Sequence, residues 1–240
     1  MVATATTMSP KGSGGGLLIG FLLYGDETET MKLVIGLLSC AKHDDRDELV
    51  RQTWLKTATE LAIPVYFLRG GVVEFRQEQD TLYFPVPDTY TCLPQKTRAW
   101  MEWAVENTDA DYIGKGDNDS LLIPDRLVQY DFTDKRYVGC EPGGRWRGYA
   151  SGGAMYFVDR SLAQLISSEL TAPSGPEDVL VGAIARQHRV SLFKDRRFVP
   201  WGNQTRRPLP ENDIIASHQL SRELWMDSWK SLNPLQHSST

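Results

Sequence analysis

At 240 residues, with 41% hydrophobic and 24% charged side chains, the chain has the make-up of a globular protein with a sizeable core, most simply one domain. A formal net charge of −5 gives no global reason to expect nucleic-acid or membrane binding. The cysteines, Cys40, Cys92 and Cys140, are odd in number, which fits a reducing cytoplasm better than a disulfide framework.

Residues 1–30 differ from the rest. A Thr/Ala-rich start and a glycine-rich run from Lys11 to Gly16 precede a short apolar stretch, Leu17 to Tyr24. That stretch is too short to cross a bilayer, which takes about 20 residues, and it lacks a signal peptide's basic flank and cleavage site. Met31 stands directly before the first clear strand, so residues 1–30 read as a dispensable extension or linker, 31–233 as the folded domain and 234–240 as a tail.

The run Lys32 to Leu38 is nearly all apolar, as in a central strand covered on both faces. A helix follows, with Asp44 and Asp45 as cap candidates and Leu49, Val50, Thr53, Trp54, Thr57 and Leu61 as its buried stripe. Arg46 and Arg51 fall near its start, beside the carboxyl end of the first strand, a position that suits phosphate contacts. Pro64–Arg69 and Thr81–Val86 read as strands, Leu93–Asn107 as a helix, and Asp111 to Asp117 as a further strand. Alternating strands and helices argue for a largely parallel α/β sheet. Later come strands over 136–140 and 154–158, a loop rich in glycine and arginine between them, and helices over 160–169 and 177–187. In the last helix Val179, Leu180, Ala183 and Ile184 are expected to face inward. The run from Arg186 to Arg207 is basic, opposed only by Asp195, and reads as a solvated face.

The most informative stretch is Lys115-Gly116-Asp117-Asn118-Asp119. In extended chain, residues i and i+2 share a side, so Asp117 and Asp119 can face one cation while Asn118 turns away. Hard divalent cations take oxygen ligands and keep positions for substrate phosphates. In open α/β sheets ligands sit outside the carboxyl ends of strands, where these aspartates fall. The pattern is weak alone: Asp45-Arg46-Asp47 and Asp109-Ala110-Asp111 share it, at a helix start and in a polar turn.

Context strengthens it. Arg46-Asp47-Glu48-Leu49-Val50-Arg51-Gln52-Thr53-Trp54 looks like an Arg-x-x-x-x-Arg-x-Thr-Trp motif, followed by Phe67-Leu68-Arg69-Gly70, by Asp88-Thr89-Tyr90 with Leu93, Lys96-Thr97 and Trp100, and by the Asp117 stretch. Gly148 to Tyr156 and Glu177-Asp178-Val179-Leu180-Val181-Gly182 complete the series. In this order the motifs resemble glycosyltransferase family 31, the β-1,3-galactosyltransferases, β-1,3-N-acetylglucosaminyltransferases and Fringe proteins.

The resemblance implies a GT-A-like α/β fold, a mixed, mostly parallel central sheet flanked by helices, and an inverting transfer from a UDP-sugar with Mn²⁺ or Mg²⁺ to a hydroxyl of a glycan acceptor. It implies Asp119, Asp117 and His218 as metal ligands, Asp178 as catalytic base, and Arg46, Arg51, Lys96, Lys115 and Asp117 as donor contacts. Trp146, Tyr149 and Glu177 are acceptor candidates, the two rings by stacking on a sugar face. The chain also departs from the family. Asn118 stands where the pattern has a central acid, which spares the metal if the flanking aspartates coordinate. Animal members are Golgi membrane proteins with lumenal disulfides, so a cytoplasmic chain would differ, unless this is an excised lumenal domain. Asn118-Asp119-Ser120 is formally a glycosylation sequon, and a glycan there would obstruct the metal site. A nucleotidyltransferase on a similar scaffold and a non-catalytic sugar-nucleotide or glycan-binding module are the alternatives.

Overall fold

A computed structural model describes residues 31–143, 147–201 and 213–232. Met31–Thr240 groups as a compact unit by itself. Residues 1–30 and 234–240 of the sequence reading lie outside the described residues.

Strand β1 (Leu33–Leu38) is buried throughout, because β2 (Val65–Arg69) pairs parallel on one side, β5 (Tyr112–Asp117) pairs parallel on the other, and helices cover both faces. Further strands are β3 (Arg76–Glu78), β4 (Thr81–Tyr83), β7 (Tyr137–Gly139), β8 (Tyr156–Asp159) and β9 (Phe193–Lys194). Among the described residues these form an eight-stranded sheet in the order β3-β4-β2-β1-β5-β8-β7-β9. The first half is parallel except for β3, and β8 runs antiparallel to both neighbours, so the sheet is mixed and mostly parallel, as expected. Sequence reading missed β3. Its hairpin to β4 turns at Gln79, a non-glycine residue at φ 51, so the usual Asn-Gly or Asp-Gly signal is missing.

Alternation along β1 divides the core. Leu33, Ile35 and Leu37 pack with Trp54, Trp225 and Trp229, whereas Val34 and Leu38 pack with Trp100 of α3 (Leu93–Asn107), Leu162 and Ile166 of α5 (Arg160–Glu169) and Val181 of α6 (Glu177–Gln187). Gly36 has no side chain because the Trp100 ring fills that space, and Trp100 Nε1 donates to the Gly114 carbonyl at 3.0 Å.

Three expectations are corrected. The first helix is broken at Thr53 (φ −117, ψ −106) into α1 (Asp44–Gln52) and α2 (Trp54–Glu60), with Thr53 Oγ1 donating back to the Leu49 carbonyl at 2.7 Å. His43, not an aspartate, is at its N-cap, and Asp44 and Asp45 lie in the first turn, where the helix dipole favours acids. In α6 the inward side is Glu177, Val181, Gly182, Ile184 and Ala185, and Ala183 is exposed. The helix is rotated because Gly182 lies against the backbone of Gly148 and Tyr149, where any Cβ would collide.

A second sheet, again among the described residues, takes the order β10-β11-β6 from β10 (Phe198–Val199), β11 (Ala216–His218) and β6 (Ser120–Leu122). The remaining α-helices among the described residues are α4 (Pro124–Leu127) and α7 (Arg222–Leu232). Among the described residues no helix is long and apolar enough to cross a membrane.

Candidate active site

Two registers assemble the site. Leu38 of β1 lies opposite Asp117 of β5, so the acidic turn Asp117–Asp119 leaves the carboxyl end of the central strands. On the other side β11 pairs antiparallel with β6, His218 opposite Ser120, and Gln219 N donates to the Asp119 carbonyl at 3.2 Å. A histidine far away in sequence thus lands beside the aspartates.

The His218 Nε2 lies 3.2 Å from Asp119 Oδ1 and 3.7 Å from Asp117 Oδ2. One ligand atom from each of the three residues lies within 4.8 Å of the other two. The Nδ1 of His218 lies 3.3 Å from the Pro200 carbonyl, and a proton on Nδ1 donating to that oxygen leaves Nε2 free as a ligand. Two carboxylates and one imidazole on one face fit Mn²⁺ or Mg²⁺, both oxygen-favouring cations, with the imidazole tipping the set toward Mn²⁺. Arg46 Nη1 donates to the second oxygen of Asp119 at 3.0 Å. Burial pushes the Asp119 carboxyl up, but the hydrogen bond and charge of His218 and the charge of Arg46 outweigh it and hold it below the usual range.

Next to this cluster lies a buried charge pair. Lys115, 1% exposed, donates to Asp117 Oδ1 at 3.0 Å and to Glu177 Oε1 at 2.5 Å, and Tyr156 OH reaches Glu177 Oε2 at 3.3 Å. Burial opposes charge on both partners. Lys115 faces two carboxylates and is raised despite its burial, whereas burial and the nearby Asp178 and Asp117 push Glu177 up to about 7 against the pull of Lys115. Asp178, one residue along, accepts from Gly152 N at 3.2 Å and from its neighbour Val179 N at 2.9 Å.

The turn Gly152-Gly153 joins the two parts. A Cβ on Gly152 would meet Glu177 Oε1, Lys115 Nζ and Asp178 Cβ, and one on Gly153 would collide with the His218 ring. The Gly153 carbonyl accepts from Ser120 Oγ, the residue after Asp119. Only glycines let this backbone pass between the acid cluster and the start of α6.

Several expected contacts fall elsewhere. Arg51 gives Nε and Nη2 to Asp80, both at 2.8 Å, and lies over the Phe67 ring, so it braces β2 and β4 instead of meeting a phosphate. Lys96 is 2% exposed and donates to Asp88 Oδ1 at 2.6 Å and to the Ser39 carbonyl at 2.8 Å. It too is a brace, because Asp88 also receives Gly70 N, and burial keeps a donor phosphate from its ammonium. Lys115 is likewise internal, held between Asp117 and Glu177. Glu177 is 4% exposed and occupied by Lys115 and Tyr156, which removes it as an acceptor contact. Tyr149 is 9% exposed, with its Cα and Cβ against Gly182, which leaves little surface for stacking, and Trp146 lies outside the described residues. Part of the basic run is paired locally: Arg197 with Asp195, Lys194 with Glu141 and Arg196 with Asp213, while Arg206 and Arg207 lie outside the described residues.

Sequence reasoning missed other contributors. Trp54 Nε1 donates to the Ser120 carbonyl at 3.2 Å and fastens α2 to the residue after the acidic turn, and Trp225 Nε1 of α7 donates to Thr53 Oγ1 at 3.2 Å and holds the α1–α2 junction. The Thr-Trp pair stood inside a quoted motif and could have been read this way. The carbonyl of Pro200 had no sequence signal.

The family model described as galactosyltransferase matches residues 45–136, from the first turn of α1 through the Asp117–Asp119 turn to the edge of β7. The resemblance to the galactosyltransferases, family 31, is borne out. It supports a glycosyltransferase. No curated protein matches. Among solved structures, a glycosyltransferase involved in the glycosylation of the major capsid of PBCV-1 is similar at TM-score 0.56 and 12% identity, over 83% of this chain and 99% of that one. A variant of Drosophila β1,4-galactosyltransferase 7, in complex with manganese, UDP-Gal and xylobiose, is similar at TM-score 0.50 and 12% identity, over 80% of this chain and 73% of that one. At such identities the likeness is one of fold, and the fold is GT-A.

Proposed function

We propose that the chain is an inverting, metal-dependent glycosyltransferase. It moves a hexose, of galactose or N-acetylhexosamine type, from a UDP-sugar to a hydroxyl of a glycan acceptor, in a β-1,3 linkage. The observation that carries this reading is the convergence of Asp117, Asp119 and His218 on one side of the Gly152-Gly153 turn with Asp178 on the other. The match over residues 45–136 supports it, and the manganese and UDP-Gal held by a protein of the same fold agree with the donor set.

Asp117, Asp119 and His218 would hold Mn²⁺, or Mg²⁺, which supplies Lewis acidity toward the departing diphosphate. Asp178 is the base. Each of its oxygens accepts one backbone N–H and keeps a second lone pair for the acceptor hydroxyl proton. As that proton moves to Asp178, the acceptor oxygen bonds to the anomeric carbon, and the bond to the diphosphate breaks with its electron pair leaving on UDP. One displacement inverts the centre, and no covalent nucleophile is needed. Arg46, 40% exposed on its side chain and already paired with Asp119, lies where its charge can add to that of the metal. A cytoplasmic location belongs to the same reading: Cys40, Cys92 and Cys140 are free thiols, and Asn118 of the formal sequon is 4% exposed.

The test is a panel of UDP-sugars incubated with the full chain, with and without Mn²⁺, quantifying free UDP and pyrophosphate. Mn²⁺-stimulated UDP release is expected, since slow donor hydrolysis needs no acceptor. Pyrophosphate release instead would identify a nucleotidyltransferase, and Mn²⁺-dependent UDP binding without any turnover would identify a binding module.

A further inference from the structure

The residue between the two candidate ligands faces a second, buried network. Asn118 is 4% exposed, and its Nδ2 donates to Asp47 Oδ1 at 2.7 Å. Asp47, in the first turn of α1, is 0% exposed. Its oxygens also accept from Ser39 Oγ at 2.8 and 2.7 Å and from Arg69 Nη2 at 2.5 Å. Ser39 directly follows β1 and Arg69 ends β2, so Asp47 collects donors from the ends of two central strands and from the acidic turn. The backbone N of Asn118 donates to the Leu38 carbonyl at 3.2 Å, which fixes the same residue from its main chain. The other contacts of Nδ2 are oxygens too, Ser39 Oγ and the His43 carbonyl, each at 3.4 Å, so this position of the side chain must be the amine end of an amide.

We propose that Asp47 is a positioning residue for the metal site and acts through Asn118. The inference rests on the metal reading of Asp117, Asp119 and His218. In the turn that leaves β5 the side chain of Asn118 reaches Asp47, while those of Asp117 and Asp119 reach His218. Anchoring Asn118 to a fully buried carboxylate therefore sets the direction of both flanking aspartates toward His218. The arrangement also accounts for the asparagine. An aspartate at 118 would set a carboxylate against Asp47 at hydrogen-bond distance in a buried site, where the one guanidinium on Asp47, that of Arg69, is already shared with Asp44. Position 118 must be a neutral donor in this chain because position 47 is a buried acceptor. The motif containing Asp47 thus serves the metal without touching it.

Two physical arguments make opposite forecasts for Asn118→Asp. Electrostatics alone says that a third carboxylate beside Asp117 and Asp119 strengthens cation binding. Positioning says that it weakens binding, because the turn loses its anchor. We expect Asn118→Asp and Asn118→Ala in the full chain to lose about 10- to 100-fold in Mn²⁺ affinity by titration calorimetry, the range for groups that orient metal ligands. The exchanged pair Asp47→Asn with Asn118→Asp restores one donor and one acceptor across the same contact, and should recover part of both the melting temperature and the Mn²⁺ affinity lost in Asn118→Asp. If Asn118→Asp does not fold, Asn118→Ala, which adds no charge, carries the affinity measurement. Mn²⁺ affinity that is unchanged or tighter in the folded variants overturns the proposal, even where the melting temperature falls, because the contact would then be purely structural. Wild-type chain that binds no Mn²⁺ overturns the metal reading and this proposal with it, a result distinct from variants that fail to differ.

Discussion

Two groups of charges lie side by side, and they behave differently. Asp117, Asp119 and His218 keep 30%, 20% and 11% of their side-chain surface exposed, whereas Lys115 and Glu177 keep 1% and 5%. A partly open cluster with loose mutual contacts, at 3.2 and 3.7 Å, can exchange partners, as a ligand site must. A sealed pair cannot, because moving either charge leaves the other buried and alone. Openness next to rigidity is what a metal site needs: the ligands face the substrate and the braces behind them hold still.

If that division is right, the largest effects fall on the open cluster. Asp119→Ala removes a ligand outright and should abolish Mn²⁺-dependent UDP release, a loss beyond the ~100-fold typical of groups behind a metal ligand. Persistent Mn²⁺-dependent UDP binding by calorimetry in that variant would count against the site. Asp178→Asn should keep Mn²⁺ and UDP binding while turnover falls by about 10²–10⁴-fold, the usual contribution of a positioned base. Equal losses in binding and turnover would instead make Asp178 a structural cap, since it also receives Gly152 N and Val179 N.

The sealed pair should show in stability first. Lys115→Met leaves Glu177 buried without its partner and should cost about 3–5 kcal/mol in urea unfolding, with part returned by pairing it with Glu177→Leu. A change near zero would mean that the pair is open to water in solution. The pH dependence is subtler. Because Glu177 is held at about 7, above its ordinary 4.5, the native state binds more protons than the unfolded chain between those values. Stability from this group therefore falls as pH rises from about 4.5 to 7. Glu177→Gln should flatten that part of the urea-midpoint profile, and an unchanged slope would place the titration elsewhere.

Much of this was readable in advance, for identifiable reasons. The Asp117–Asp119 stretch was legible because it ends an apolar strand; the structure turns Asn118 away toward Asp47 as expected, though by a turn at 118–119 and not by continued extended chain. The helices over 93–107, 160–169 and 177–187 were legible from their periodicity and flanking breakers. The roles of Arg51 and Lys96 were not. A cation near the end of a strand suits a phosphate and a carboxylate equally, and only the fold showed that Asp80 and Asp88 had arrived first. The burial of Tyr149 was not legible for a similar reason: an aromatic in a glycine-rich loop reads as exposed until the fold sets α6 against its Cα and Cβ at Gly182.

By itself, the sequence determined the class of fold, the acidic turn at the carboxyl end of a central strand, and the order of motifs, because each depends on short-range patterning. Tertiary structure alone decided that β11 pairs with β6 so as to bring His218 to Asp119, that Gly152-Gly153 threads between the acid cluster and α6, and that Asp47 holds Asn118. Those contacts join residues distant along the chain, and a side chain's partner across such a gap is set by strand register and burial, which local composition does not encode.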